Sequence, residues 1–187
     1  MKKAICYFKS TSPYSQSKHH LEPKLDKELS EDYEERTWRE RMHVDKNGDI
    51  FIPATQFMNS IKVAAKYLNI QIPGKGKTTY TKHFESGIMV IDNLDLGLKK
   101  DEIQKETVYV PSDGIPGGSK RVTKHFCFIP EWEGKVTYYI LDNIITQDIF
   151  ERVLRECGNL IGIGRFRPRN RGYYGRFEVK KIEWIED

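Results

Sequence analysis

The sequence predicts an α+β domain of ferredoxin-like type. This is a split βαβ arrangement in which an antiparallel sheet carries two helices and a charged insertion interrupts the chain near its start. Three observations predict it. Two segments place apolar residues at helical spacing. Short apolar runs flank them in the order strand, helix, strand, strand, helix, strand. A block dense in charge separates the first strand from the rest. At 187 residues the chain suits a single domain over 1–187, with residues 10–45 as the insertion.

Residues 3–9 (KAICYFK) read as the first strand, and STSPYSQSKHH breaks it. Residues 21–41 carry Leu21, Leu25 and Leu29 at intervals of four, interrupted by Pro23. Their charge density predicts a solvated excursion with a helical turn or two. Asn47-Gly48 predicts a type I′ hairpin between residues 42–44 and 50–52. A calcium loop is excluded because Ile50 stands where that loop needs glycine. Pro53 opens a helix with Thr55 as its cap, and Phe57, Ile61, Ala64, Ala65 and Leu68 form its apolar stripe. GKGKTTYTKHF lacks the glycine a phosphate loop needs, since Gln71 stands there, and reads as a mobile basic loop.

Residues 87–91 and 107–110 are strands, and 111–118 (PSDGIPGG) is a turn-rich break. Residues 135–141 form a strand entering the second helix. Thr146 caps that helix, Asp148 complements its dipole, and Ile149, Phe150, Val153, Leu154 and Cys157 form the buried face. Gly158 supplies the stop, and residues 177–184 the last strand.

Composition narrows the function classes. Aromatic residues at 12% exclude a chain without a core. No apolar run approaches about 18 residues, so no membrane segment is expected, and MKKAICYFKS is no signal peptide. The odd, scattered Cys6, Cys127 and Cys157 fit a reducing cytoplasm (the host's, for a viral protein) rather than a disulfide framework. The net charge of +4 is a faint pointer to an anionic partner, but its distribution is uneven. Residues 22–40 hold eight acids against four bases, and residues 158–181 hold seven bases against Glu178 alone.

That basic segment is the chemical centre of the sequence. Arg165, Arg167, Arg169 and Arg171 alternate with Phe166, Pro168 and Asn170, and Arg176 follows. Guanidinium forks hold phosphate through paired hydrogen bonds, and Tyr173 and Tyr174 offer stacking faces for bases. Lys120, Arg121 and Lys124 add a second basic cluster. The competing reading is a protein contact between the arginine segment and the acidic region 22–40, that of a neighbouring subunit included. For catalysis, Tyr14, Lys18, His19 and His20 lie together, but adjacent loop histidines are usually idle. His43, His83 and His125 lack metal-ligand spacing, and Asp92 and Asp95 read as turn formers. No catalytic residue, metal or cofactor is assigned.

Two segments together resemble the RAMP superfamily, whose members form the backbone of CRISPR effector complexes. IFIPATQFMNSIK at 50–62 is similar to the family's short strand, Ile-Pro step and first helix. Asn59 and Ser60 stand near the family's glycine and Lys62 near its basic residue. GIGRFRPRNRGYYGRF is similar to the family's glycine-rich loop through Gly162, Gly164, Gly172 and Gly175, with two residues between the last two glycines where the family usually has one. Residues 10–45 stand where members insert a thumb-like excursion.

The resemblance implies a single-stranded nucleic-acid-binding protein, preferring RNA over DNA. It would be a homo-oligomer along the strand or a subunit of a CRISPR-like complex, and a stand-alone viral relative fits as well. The alternatives are an interaction module that mimics or inhibits a host defence complex, and a metal-independent endoribonuclease at His19 or His20.

Overall fold

The computed structural model describes residues 1–112, 115, 117 and 120–186. The central sheet has four strands: β1 (Lys2–Ser10), β3 (Ile88–Val90), β7 (Glu133–Ile140) and β8 (Phe177–Glu186). Their order is β3-β7-β1-β8 with every pairing antiparallel, which is the ferredoxin-like arrangement. Alternation sets the two faces. Ala4, Cys6 and Phe8 of β1 are buried, as are Val136, Tyr138 and Ile140 of β7. Helices α2 (Ala54–Leu68) and α4 (Gln147–Glu156) add Phe57, Ile61, Phe150, Val153 and Leu154 to the core. Phe8 lies at its centre, stacked on Phe57 at 5.6 Å and tilted against Phe177 at 4.8 Å.

Thr146 caps α4 as expected, its hydroxyl accepting from the Ile149 amide at 3.4 Å. Three local expectations are corrected. Pro53, not Thr55, occupies the cap position of α2 and has no side-chain acceptor. The Ala54 amide is satisfied instead by Asn93 Oδ1 at 2.9 Å. Gly158 does not stop the second helix. A π-helical turn (Cys157–Ile161) prolongs it to Gly162, and Gly158 is required because a Cβ there would run into the Phe177 carbonyl. The turn at Asn47-Gly48 is not type I′, since Gly48 has positive φ (81°) and Asn47 does not. Asp45 Oδ1 accepts from the amides of Asn47 and Asp49 at 2.8 and 2.9 Å, which favours an ordinary turn followed by a glycine bulge.

Outside the central sheet, β2 (Asp49–Ile52) pairs with β4 (Leu94–Lys99), and β5 (Gln104–Pro111) pairs with β6 (Arg121–Phe128) as a two-stranded ribbon. The turn-rich break at 111–118 lies largely outside the described residues. The basic loop at 74–84 is structured. The Ile72 amide bonds to the Thr78 carbonyl at 2.8 Å, and α3 (Thr81–Gly87) follows, so Gly87 ends a helix rather than starting a strand.

The insertion is only partly an excursion. Residues 17–32 are mostly exposed, and Leu21, Leu25 and Leu29 pack on nothing large, being 87%, 58% and 68% exposed. Tyr14, Ser15 and Gln16 are fully buried, with Tyr14 bridged to Ile129 beyond β6. Helix α1 (Ser30–Thr37) is pinned to β6 through Glu34. Among the described residues no helix is long and apolar enough to cross a membrane.

Candidate nucleic-acid interface

The glycine-rich loop runs from the π turn to β8 and folds on itself. The Ile163 amide bonds to the Gly175 carbonyl at 3.0 Å, and the Tyr174 amide to the Phe166 carbonyl at 2.9 Å. A single 3-10 turn, Pro168–Asn170, forms the tip. The base is sewn to the first part of the insertion. The Gly175 amide donates to the Pro13 carbonyl at 2.7 Å and the Arg165 amide to the Ser15 carbonyl at 2.9 Å. Gly175 has φ of 76° and passes so close to Ile163 that a Cβ would meet its carbonyl. The glycines therefore serve tight packing of the loop on itself, and Gly164 packs against Tyr14 in the same manner.

The four alternating arginines do not form one cluster. Arg165 turns inward, pairs with Glu106 of β5, donates from Nε to Ser15 Oγ at 3.0 Å, and lies 3.9 Å from the Phe126 ring centroid. Four like charges with only Glu178 for relief, as the sequence suggests, are thus reduced to three. Arg167 is half-buried with its Nε unpartnered, and Arg169 and Arg171 are exposed at the tip. Among the described residues none of these three has an ion-pair partner.

Tyr174 is built into the scaffold. Its hydroxyl donates to Glu106, and its ring meets Phe128, Phe166 and Tyr173 edge-on. Burial, reinforced by the Glu106 hydrogen bond, pushes this phenol up to about 12. Tyr173 remains 56% exposed. Arg176 closes the loop by donating to the carbonyls of Asn159 and Tyr173, both at 3.2 Å.

The other basic candidates divide similarly. Lys124 donates to Glu34 at 3.0 Å, Arg121 to the Tyr109 carbonyl at 3.2 Å, Lys120 is exposed, and Lys62 is half-buried on α2. Four of the eight acids of region 22–40 are consumed within the chain, Glu28 by Arg36, Glu34 by Arg41 and Lys124, Glu35 by Lys105, and Glu40 by Lys100, while Glu22, Asp26, Glu31 and Asp32 have no ion pair among the described residues. Within one chain the described residues show no ion pair between region 22–40 and the arginine segment.

A cavity of about 230 Å³ opens beside the loop, lined by Ser17, His43, Gln56, Gly164, Arg165 and Arg167. His43 was missed by sequence reasoning. Burial, and then the charge of Lys18, lowers its pKa, so the ring is neutral at pH 7. Its only signal in the sequence is its place just before the Asp45–Asp49 turn, which says nothing of the loop more than a hundred residues later. His19 is exposed, and His20 lies against Tyr33 with ring centroids 6.2 Å apart, so neither lines this cavity. Among the described residues no group of three or more His, Cys, Asp or Glu is placed to hold a metal.

No protein-family model matches the chain, and no curated protein matches it. Solved structures do. The fold is similar to a chain of the type III-B Cmr-beta complex bound to cognate target RNA, with TM-score 0.58 and 12% identity over 99% of this chain and 61% of that one. The chain therefore spans about 61% of that chain's length. A second match is Cmr6 from Pyrococcus furiosus, with TM-score 0.48 and 13% identity over 96% of this chain and 99% of that one. The split βαβ sheet, the two helices and the loop before the last strand thus compose a ferredoxin-like fold, similar to that of a chain in the RNA-bound Cmr-beta structure.

Proposed function

We propose that the chain binds single-stranded nucleic acid, RNA by preference, through the glycine-rich loop, as a homo-oligomer along the strand or as a subunit of a CRISPR-type complex. The observation that carries this reading is the division of the arginines. Arg165 is held by Glu106, while Arg167, Arg169 and Arg171 have no carboxylate partner among the described residues and stand beside an exposed Tyr173. Unpaired guanidinium groups on a rigid, glycine-tightened loop are placed to take phosphates, and Tyr173 to take a base. The cavity at Arg167 and His43 continues this surface toward α2. Lys62, Lys120 and Arg121 are secondary contacts in this reading, whereas Lys124, Arg176 and Tyr174 serve chiefly to hold the scaffold.

The similar Cmr-beta structure is bound to target RNA, which supports the choice of RNA. The test is affinity for a labelled single-stranded RNA as a function of salt. Three phosphate contacts give a slope of roughly −2, at about −0.7 per contact. An Arg167, Arg169, Arg171 triple alanine variant that is folded and binds like the parent refutes the loop as the site.

A further inference from the structure

The sheet face turned away from the helices carries an ordered set of side chains that the loop does not use. On β1 these are Lys3, Ile5, Tyr7 and Lys9, and on β7 Lys135, Thr137 and Tyr139, all half-buried or exposed. The register places Tyr7 opposite Lys135 and Tyr139 opposite Lys3. The two central strands therefore each present one aromatic ring flanked across the strand by a lysine. The rings are diagonal, four residues or about 14 Å apart along the strand direction.

Tyr7 is held in place, its hydroxyl donating to Glu183 at 3.1 Å, and Lys3 sits 5.7 Å from the Tyr139 ring centroid. Among the described residues Lys3, Lys9 and Lys135 have no ion-pair partner. By contrast Lys181 is neutralised by Glu183, and Glu178 by Lys180. Glu133, opposite Lys9 in the register, also lies on this face without an ion pair among the described residues, so the uncompensated charge is Lys3, Lys9 and Lys135 against Glu133 and is mainly positive. A cavity of about 360 Å³ opens at the Tyr7 end, where Lys9, Lys135 and Lys180 line it together with Glu133.

We propose that this open face is a second binding surface for single-stranded nucleic acid, with bases stacked on Tyr7 and Tyr139 and phosphates taken by Lys3, Lys9 and Lys135. Stacking on the aromatics of an open four-stranded sheet is a general mode of single-strand recognition, because unpaired bases expose their faces. The lysines match a phosphate backbone, which is the argument for this occupant over a second copy of the chain.

The inference goes beyond the loop reading and stands or falls separately. Fluorescence anisotropy with a labelled 12-mer oligouridylate is measured on the full chain. Tyr7→Ala and Tyr139→Ala are each expected to weaken binding about 5- to 150-fold, while Tyr7→Phe and Tyr139→Phe, which keep the rings, bind within about twofold of the parent. Lys3→Glu with Lys135→Glu is expected to weaken binding and flatten its salt dependence. Crosslinking of a 4-thiouridine oligonucleotide to the unmodified chain should label peptides from β1 or β7, which keeps the test decisive if an alanine variant fails to fold.

Parental affinity in folded alanine variants, or crosslinks confined to 162–176, overturns the proposal. So does loss of self-association with RNA affinity intact, which would give the face to a second copy. If the loop triple variant binds as the parent does while the open-face variants do not, the loop reading falls and this one stands.

Discussion

Arg165 and Glu106 form an ion pair across 59 residues of sequence, and the same carboxylate accepts the hydroxyl of Tyr174. One acid of the β5–β6 ribbon thereby fixes both the first arginine and the last aromatic of the glycine-rich loop. Arg165 and Glu106 side chains are 17% and 24% exposed, so the pair is well shielded from water.

Removing Glu106 should therefore loosen the loop without touching its exposed arginines. Glu106→Ala is expected to cost about 1.5–3 kcal/mol, the range for hydrogen bonds to charged groups. In a chain of this size that lowers Tm by roughly 3–12 °C. Arg169→Ala with Arg171→Ala should leave Tm nearly unchanged and weaken RNA binding. Thermal melts and binding isotherms on the same samples check the contrast.

Glu34 is the corresponding hub of the insertion. Its side chain is 1% exposed and accepts from Arg41, from Lys124 at 3.0 Å and from the His125 amide at 2.9 Å. Burial alone would raise this carboxyl, but the three donors outweigh it and hold it at about 2. A folded pKa below the unfolded value of about 4.3 gives stability that is full above pH about 4.3 and lost as pH falls through about 2. Chemical denaturation between pH 6 and 2 should show this loss, flattened in Glu34→Gln. Breaking the buried cluster in that variant is expected to cost about 3–5 kcal/mol at pH 7.

Asn93 substitutes for a local cap on α2. Asn93→Ala should cost about 0.5–2 kcal/mol, as loss of a cap does, whereas Thr55→Ala should be near neutral. Urea midpoints at unchanged m-value check the pair.

Half of the acids of region 22–40, Glu28, Glu34, Glu35 and Glu40, are neutralised inside the chain, which weakens the acidic surface that a head-to-tail contact would draw on. Light scattering at low salt should find single copies without RNA and several copies on a long single strand. Association without RNA that dissolves as salt rises would restore the charge-driven contact.

The sequence by itself determined the order of strands and helices, the buried stripe of each main helix and the Thr146 cap. Those features repeat at a fixed local period or act within a few residues, so they can be read along the chain. It also marked the arginine- and glycine-rich segment as the place where basic side chains concentrate. Tertiary structure decided which arginines remain free, because Glu106 meets Arg165 only once the β5–β6 ribbon folds over the loop. It likewise decided that Glu34 is buried beside Lys124 and His125, about 90 positions away, and that His43 joins Gln56 and Arg167 around one cavity. Tyr7 and Tyr139 share an open face because β1 and β7 are neighbours in the sheet, and Asn93 caps a helix that begins 39 positions earlier. Contacts at such separation leave no period and no motif, since the chain between them sets neither their distance nor their direction.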